Sequence, residues 1–341
     1  MKKATLIDVG RESGVSAITV SRTLREPDRV SPALRERVHA AVKKLGYVPD
    51  SAASTLASNR STVIGILVPS FSNYVFSDVL SGASNVIEGT KYSVQIANTG
   101  YSALKEEQLV PRFLNMKPAG MIITGIDQTE ATRNMLLQAD CPVVQVMDVS
   151  HDPIDVIVGF SNFRATADAV EHMVQEGYRR IAFVGTRMDP RTQQRLLGYR
   201  SVMEKHGLFD EKLVITTPQK SSVEIGRHLL GELLAAVPDC DGAFCNNDDV
   251  AVGIGLECQR RNISCPRDMG ICGFNDLGTT SQMNPAITSV FTPRAEVGRR
   301  AAQFILDRNA GQQAPSNRCI DLGSTLKVRA STLRRRSGQN S

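Results

Sequence analysis

Two short helical segments near the N-terminus are separated by a tight turn, and this pattern limits how the segment can fold. Thr5 and Asp8 have the spacing of a capping box, in which two residues satisfy each other's backbone at a helix start. Gly14 can adopt the left-handed backbone conformation that ends the first helix. Ser16 can cap a second helix over residues 17–24. Two short helices joined in this way are typical of a helix-turn-helix, whose second helix can enter the DNA major groove.

A third helix is predicted over residues 31–44. Ser31 followed by Pro32 is typical of a helix start, and Gly46 is typical of a helix end. The three segments together predict an N-terminal all-α domain of three helices over residues 1–46.

The excess positive charge of the chain lies in the same region. The 341 residues carry a formal net charge of +5. Residues 1–60 hold eleven Lys or Arg and six Asp or Glu, whereas the other 281 residues hold twenty-nine of each. A basic N-terminal segment on an otherwise balanced chain suits a polyanion partner such as DNA.

Beyond residue 60, short apolar runs alternate with helix-length segments. This alternation predicts parallel sheets with helices on both faces, and the length is sufficient for two such doubly wound sheets. Ligands bind beyond the carboxyl ends of strands in sheets of this kind. The candidate strands are residues 63–68, 94–97, 120–124, 143–147, 181–184, 242–245 and 270–274.

Several function classes are disfavoured by the sequence. It contains no phosphate-binding loop, dinucleotide fingerprint, zinc-protease motif or nucleophile elbow. Its seven cysteines form no Cys-x-x-Cys pair, and no histidine lies at a metal-site spacing from them. We therefore predict no catalytic residue, no metal site, no cofactor and no enzyme activity. The absence of a signal peptide or long apolar run predicts a cytoplasmic protein with no membrane partner.

The motifs of the first fifty residues resemble one known family. Thr5-Leu6-x-Asp8-Val9, Gly14-Val15-Ser16-x-x-Thr19-Val20-Ser21-Arg22, Val30-Ser31-x-x-x-Arg35-x-x-Val38 and Leu45-Gly46-Tyr47-x-Pro49 resemble the head of the LacI/GalR family of bacterial transcription regulators. Cys245-x-Asn247-Asp248-x-x-Ala251-x-Gly253 and Gly273-Phe274-Asn275-Asp276 resemble motifs of the family's core. The resemblance implies a helix-turn-helix head on a periplasmic-binding-protein-like α/β core of two doubly wound parallel-sheet subdomains.

The resemblance also implies a division of the chain. We expect a DNA-binding head at 1–46, a hinge helix at 47–60, a core at 61–341 and within it a polar tail at 331–341. The N-subdomain is expected at about 61–160 plus 291–318, and the C-subdomain at about 161–290 plus 319–330.

The family pattern assigns roles in DNA binding to particular side chains. It places Ala17, Ile18 and Arg22 over base edges. Arg22 can donate hydrogen bonds to both O6 and N7 of guanine, and Ala17 and Ile18 can contact thymine methyl groups.

Other residues are expected to set the position on the duplex rather than to read its sequence. The expected phosphate contacts are Thr5, Ser16, Thr19 and Ser21. Ala53 and Leu56 of the hinge are expected in the minor groove, where the leucine would wedge between bases. The hinge is too short and polar to form a stable isolated helix, so we expect it to fold on binding DNA.

Polar and aromatic side chains follow the predicted strands and form the candidate effector site. Amides and carboxylates can bind hydroxyl groups, while aromatic rings cover a carbon skeleton. The candidate effector-binding residues are Asn73, Val75, Phe76, Thr124, Asp148, Phe160, Arg191, Arg195, Asn247, Asn275 and Arg294.

Two candidate residues depart from the family pattern. Asn275 stands where an aspartate is common, and Arg294 follows Thr-Pro where neutral groups are common. An amide in place of an aspartate removes a negative charge from the site, and an arginine in place of a neutral group adds a positive one. Both changes favour a negatively charged ligand. A resemblance to the gluconate-repressor branch of the family is carried by Pro69-Ser70-Phe71-Ser72-Asn73-x-x-Phe76, Phe274-Asn275-Asp276-Leu277 and Thr292-Pro293-Arg294. This resemblance implies gluconate or a ketogluconate as the effector.

The sequence therefore predicts a homodimeric repressor that binds a near-palindromic DNA operator and is released by a small sugar acid. Three alternatives remain open at this point. A neutral sugar could be the effector, the ligand could act as a corepressor, or the protein could be a cytosolic sugar-binding receptor with no role in DNA binding.

Overall fold

The computed structural model describes residues 4–25, 27–48 and 60–334. The chain divides into two units, residues 1–61 and 62–341. The predicted hinge residues Ala53 and Leu56 lie outside the described residues.

The first unit contains the three predicted helices. They are α1 (Leu6–Ser13), α2 (Ala17–Arg25) and α3 (Pro32–Leu45), with a short 3-10 turn at Pro27–Arg29. Val9, Val20 and Val38 contribute one residue from each helix to a small core and are fully buried. The helix-turn-helix fold is confirmed, with helix ends within two residues of those expected.

The predicted helix caps are also present. The Asp8 N–H donates to Thr5 Oγ1 at 3.3 Å, and the Thr5 N–H donates to Asp8 Oδ2 at 2.9 Å. Gly14 and Gly46 both adopt left-handed conformations, with φ of 67° and 58°. Local residue chemistry alone therefore sets the ends of α1 and α3.

Two six-stranded sheets form the second unit within its described residues. The first sheet has the order β2-β1-β3-β4-β5-β11 and is parallel throughout. Its strands are β1 (Val63–Val68), β2 (Ser93–Asn98), β3 (Gly120–Thr124), β4 (Val143–Val146), β5 (Val156–Gly159) and β11 (Cys319–Asp321).

The second sheet has the order β7-β6-β8-β9-β10-β12. Its last strand is antiparallel to its neighbour, and the other pairs are parallel. Its strands are β6 (Ile181–Thr186), β7 (Val214–Thr217), β8 (Gly242–Cys245), β9 (Gly270–Asn275), β10 (Thr288–Phe291) and β12 (Thr325–Lys327). We call the part built on the first sheet the first lobe and the part built on the second sheet the second lobe.

Helices cover both faces of each sheet. They are α4 (Tyr74–Ile87), α5 (Ala103–Leu114), α6 (Glu130–Leu137), α7 (Asn162–Gln175), α8 (Pro190–Lys205), α9 (Val223–Ala236), α10 (Asp248–Arg260), α11 (Gly278–Gln282) and α12 (Arg294–Asn309). None of the helices in the described part of the chain has the length and apolarity needed to cross a bilayer.

The chain passes between the lobes three times, after β5, after β10 and after β11. Helix α12 follows a strand of the second sheet but packs against α4 and the first sheet. The strand Cys319–Asp321 pairs with β5 in the first sheet. The expected lobe boundary at residue 318 is therefore too early, because the last crossing follows Asp321.

All seven predicted strands are present, and five more were not predicted. The missed strands β5, β7, β10, β11 and β12 have three or four residues each. Runs this short are not reliably assigned from apolar periodicity: β4 and β8, of four residues each, were predicted, whereas β5, β7 and β10 of the same length were missed.

Glycines allow pairs of helices to approach closely at the sheet faces. A Cβ atom on Gly82 of α4 would lie 2.0 Å from the Ala295 carbonyl oxygen, and one on Gly298 of α12 would lie 1.9 Å from the Val79 carbonyl oxygen. Gly198 of α8 makes a comparable approach to α7. Each of these contacts is with backbone, which cannot move aside as the end of a side chain can.

Replacing Gly298 by alanine should therefore lower the midpoint of thermal unfolding. Overpacking costs about 1–3 kcal/mol, whereas alanine gains only about 1 kcal/mol in helix propensity. Gly231→Ala in α9 is the matched control, because its added Cβ would meet only Arg261 Nη2, at 3.1 Å. Circular dichroism should show a lower midpoint for the first variant and an equal or higher one for the control. Equal midpoints for both variants would contradict this account of the α4–α12 contact.

Candidate nucleic-acid interface and effector cleft

One face of helix α2 points away from the core of the first unit and carries both polar and apolar side chains. Val20 on the opposite face is fully buried, whereas Ile18 is 73% exposed and Arg22 is exposed. Ala17 is half-buried at the start of the helix. Ile18 and Arg22 therefore lie on the exposed face of α2, whereas Ala17 is not fully exposed as predicted; base reading by these three residues stays a prediction.

The predicted phosphate-contacting hydroxyls lie at the helix starts. Ser16 Oγ accepts from the Thr19 N–H at 3.1 Å, and the two hydroxyl oxygens are 2.8 Å apart. Thr5 caps α1, and Ser21 is half-buried on α2. Capping uses one lone pair of each cap oxygen, so the hydroxyls retain further capacity for hydrogen bonds.

A polar cleft lies between the two lobes at the carboxyl ends of their strands. Seven of the predicted effector-binding residues line it, namely Asn73, Val75, Phe76, Arg191, Arg195, Asn247 and Asn275. Residues that were not predicted complete the lining, namely Tyr101, Met147, Thr186, Arg187, Asp189, Thr192, Ser221 and Asn246.

The remaining four predicted residues lie elsewhere. Thr124 lines an adjoining chamber. Asp148 is buried and accepts from the Val149 N–H at 2.9 Å. Phe160 is fully buried, 6.5 Å from the ring centre of Phe274.

Arg294 is buried beside the C-terminal end of β9, and its guanidinium group already has protein partners. Its Nη2 lies 2.8 Å from Asp78 Oδ2, and its Nη1 donates to the Asn275 carbonyl and to Thr292 Oγ1. Arg294 therefore holds the backbone behind the cleft and does not supply the cleft with positive charge.

Arg195 is held in the cleft by several partners. Its Nε donates to Asn162 Oδ1 at 3.0 Å, and its Nη1 donates to the Asn246 carbonyl at 2.5 Å. The guanidinium carbon lies 3.7 Å from the centre of the Phe274 ring, a cation–π distance. Burial lowers the pKa of Arg195 to about 10, so the group remains charged at neutral pH.

Arg191 reaches from the second lobe to the first. Its side chain lies 5.8 Å from the Phe76 ring centre and 6.0 Å from that of Tyr101. Its Nη2 is 3.4 Å from Asp189 Oδ2. Its Nη1 is buried and has no hydrogen-bond partner among the described residues.

Arg187 and Tyr101 form a second contact across the cleft. The guanidinium carbon lies 3.8 Å from the ring centre. The Asn73 amide donates to the Tyr101 hydroxyl at 3.2 Å. Both Arg187 and Tyr101 have positive φ, at 66° and 62°.

Asn275 presents an unusual acceptor to the cleft. Its backbone has φ of 107°, in a region that residues other than glycine rarely occupy. Its Oδ1 is buried and, within the described part of the chain, has no hydrogen-bond donor. The cleft therefore contains one unpaired buried donor, on Arg191, and one unpaired buried acceptor.

The pKa values of two acidic groups near the cleft are shifted in opposite directions. Burial alone would raise the pKa of Asp189, but Arg191 and the Thr192 N–H outweigh it, so that the pKa is lowered. Burial raises the pKa of Asp148 despite opposing contributions from the Val149 N–H and nearby arginines. The cleft lining thus combines Arg187, Arg191 and Arg195 with one ionised carboxylate.

A helix-turn-helix head and a two-lobed α/β core with a polar cleft define a ligand-responsive DNA-binding regulator. Residues 5–50 match the family described as bacterial regulatory proteins, lacI family, and residues 170–332 match a periplasmic binding protein-like domain. The chain is 39% identical over 330 residues to the HTH-type transcriptional regulator GntR of Pseudomonas aeruginosa, covering 97% of this chain and 96% of GntR.

Solved structures of LacI-family regulators have a similar fold. A LacI-family regulator from Silicibacter pomeroyi has a TM-score of 0.90 and 36% identity, covering 97% of this chain and 100% of the other. The lac repressor dimer bound to operator has the same fold, with a TM-score of 0.84, 23% identity and coverage of 98% and 100%. The chain belongs to the LacI family of bacterial transcriptional regulators. It is a DNA-binding regulator with an effector-binding domain and not an enzyme.

The hydrogen bonds in the cleft predict different roles for its two buried arginines. In the ligand-free protein, Arg195→Ala should lower the thermal midpoint more than Arg191→Ala. Loss of Arg195 leaves Asn162 Oδ1 and the Asn246 carbonyl without this donor, at about 1–3 kcal/mol for each buried group left unsatisfied. Arg191 loses its ion pair with Asp189, but its Nη1 has no partner to lose. Calorimetry of both variants tests the order, and a larger loss in Arg191→Ala would show that the order is wrong.

Proposed function

We propose that this regulator is a repressor whose affinity for its operator falls when a small sugar acid, gluconate or a ketogluconate, binds in the cleft. The observation that carries the proposal is the pair of unpaired buried atoms, Arg191 Nη1 and Asn275 Oδ1, in a cleft lined by three arginines. A sugar acid offers an anionic acceptor for the guanidinium groups and hydroxyl donors for the amide oxygen.

The source of the positive charge differs from the sequence-based expectation. Arg294 is paired with Asp78, so selectivity for an anion is assigned to Arg187, Arg191 and Arg195. Arg195 uses Nε and Nη1 in its protein contacts, which leaves Nη2 for a ligand. The similarity to GntR supports placing the effector in the gluconate branch of the family.

A neutral sugar is the second candidate, because Asn73, Asn247 and Asn275 can bind hydroxyl groups without an anion. It would leave the cleft's excess of guanidinium groups without a carboxylate partner. The acid is therefore favoured by charge, and the neutral sugar serves as a direct competitor in the test.

In the same proposal, the first unit makes the contacts with DNA. Ala17, Ile18 and Arg22 read base edges, while Thr5, Ser16, Thr19 and Ser21 contact phosphates. Two copies of the chain place two heads on a near-palindromic operator, with Ala53 and Leu56 in the minor groove. The operator-bound dimer of the structurally similar lac repressor supports this arrangement. We place the protein in the cytoplasm, associated with the nucleoid when bound to DNA.

Effector release should be measured by fluorescence anisotropy with a labelled duplex that the purified protein has selected from a random-sequence pool. Gluconate or a ketogluconate should weaken binding by about tenfold or more, equivalent to a coupling free energy of about 1.4 kcal/mol. Glucose at the same concentration is the matched neutral control. Release by glucose alone would refute the sugar-acid assignment, and tighter binding with gluconate would identify a corepressor instead of an inducer.

Arg22→Ala should weaken binding to the selected duplex more than binding to a scrambled duplex. One lost bidentate contact with a base is worth about 1–3 kcal/mol of discrimination. Arg37→Ala, which removes the same charge from an exposed position on α3, is the control. It should affect both duplexes similarly, because loss of one positive charge away from the base-reading helix weakens a general attraction to DNA that does not depend on sequence. Equal losses on the two duplexes in Arg22→Ala would remove Arg22 from the base readers.

A further inference from the structure

A side chamber of the first lobe adjoins the effector cleft. The chamber and the cleft share Tyr101, Asp189 and Arg191. The other polar walls of the chamber come from the first lobe and are Thr99, Ser102, Glu106, Thr124 and Asp127. Glu106 and Thr124 are 7% and 5% exposed, so the polar groups at its base are withdrawn from solvent.

The cleft and the side chamber have opposite charge. The cleft carries Arg187, Arg191 and Arg195 beside Asp189, whereas the chamber carries Glu106, Asp127 and Asp189 and has Arg191 at its junction with the cleft. When Glu106 is ionised, the carboxylate of a ligand is attracted to the cleft and repelled by the chamber. Hydroxyl groups, which donate hydrogen bonds to acidic oxygens, suit the chamber.

Glu106 on α5 is a buried carboxyl group with no ion pair within 4 Å among the described residues. Burial raises its pKa to about 7; Asp127 adds to the rise, and Gln128 and Arg191 oppose it. Burying such a group without an ion pair is costly. Groups of this kind are concentrated at functional sites.

Thr124 adds a second acceptor to the chamber. Its Oγ1 donates to the Leu67 carbonyl at 3.1 Å, so its lone pairs remain available to accept a hydrogen bond. Arg191 Nη1, the unpaired donor, lies near the junction, 3.4 Å from the position of a Cβ on Gly125. Acceptors at the base and a donor at the junction match a hydroxyl group, which both donates and accepts.

We propose that the side chamber binds the terminal hydroxyl group of the effector, with Glu106 as the residue that selects for it, while the carboxylate lies between Arg187 and Arg195 in the cleft. This inference rests on the proposed sugar-acid function and adds to it the orientation of the ligand and a determinant of its length. A short aldonic acid can occupy the cleft alone, whereas a six-carbon acid also reaches Glu106.

The test compares two acids that share a carboxylate end and differ in length. Isothermal titration calorimetry of the full chain with D-gluconate and with the four-carbon D-erythronate gives both affinities. Glu106→Ala should weaken gluconate binding by about tenfold or more and leave erythronate binding within about twofold, because hydrogen bonds to a carboxylate are lost only for the longer acid. Glu106→Gln keeps the side-chain shape and one acceptor oxygen, so it should fall between wild type and Glu106→Ala.

Two controls separate binding from folding. Glu130→Gln removes an exposed carboxylate from α6 and should leave both affinities unchanged. Erythronate binding reports whether the cleft of each variant is intact. Equal weakening of both acids in Glu106→Ala, or unchanged gluconate binding, overturns the chamber assignment alone. If the wild-type protein binds neither acid, the sugar-acid function falls together with it.

Discussion

The effector cleft depends on the contacts of one buried group, the guanidinium of Arg195, which lies between the lobes. A buried charge is tolerated only where hydrogen bonds and polarisable groups replace its water. Here the replacement comes from Asn162, the Asn246 carbonyl and the Phe274 ring. These three partners lie at the ends of β5, β8 and β9, so one side chain ties three strand ends of the cleft together.

Arg191 shows the other outcome of burying a guanidinium. Part of the group is paired with Asp189, while Nη1 is left without a partner in the described structure. Arg195 is fixed by its protein contacts and keeps Nη2 available, whereas Arg191 offers Nη1, which has no acceptor among the described residues. A ligand hydroxyl can therefore accept from Arg191 Nη1 without first displacing a protein partner.

The same arrangement shows how occupancy of the cleft could influence the relation of the two lobes. Asn275 lines the cleft, and its backbone carbonyl accepts a hydrogen bond from Arg294. Arg294 is the first residue of α12, directly after the chain crosses from the second lobe to the first behind β10. Arg294 also pairs with Asp78 on α4. The glycine contact between α4 and α12 joins these helices closely, so we expect a shift at Asn275 to be felt in this layer of the first lobe. A ligand changes the balance of two conformations only if it binds them unequally, and Asn275 is a contact at which such a difference can arise.

The sequence predicted the head and the sheet architecture well, because their signals are local. Caps, turn glycines and apolar periodicity depend on neighbours a few residues away. The cleft was predicted less completely. The strand ends were right, but which side chain of each loop enters the cleft depends on backbone turns that residue type does not reveal. Tyr101, Met147 and Arg187 line the cleft with φ of 62°, 72° and 66°.

Such values are expected of glycine or asparagine and not of these residues. At the end of β4 the turn at Met147 brings Met147 to the cleft, while Asp148, which the family pattern favoured, bonds to the backbone beside it. Left-handed conformations of bulky residues cost about 1–3 kcal/mol each and persist only where the surrounding structure enforces them. At Met147 this support includes Asn162, whose amide donates to the Met147 carbonyl at 3.3 Å and whose Oδ1 accepts from Arg195. The residues least predictable from sequence therefore include those whose conformation the surrounding structure has to hold, and Tyr101, Met147 and Arg187 are three of these that line the cleft.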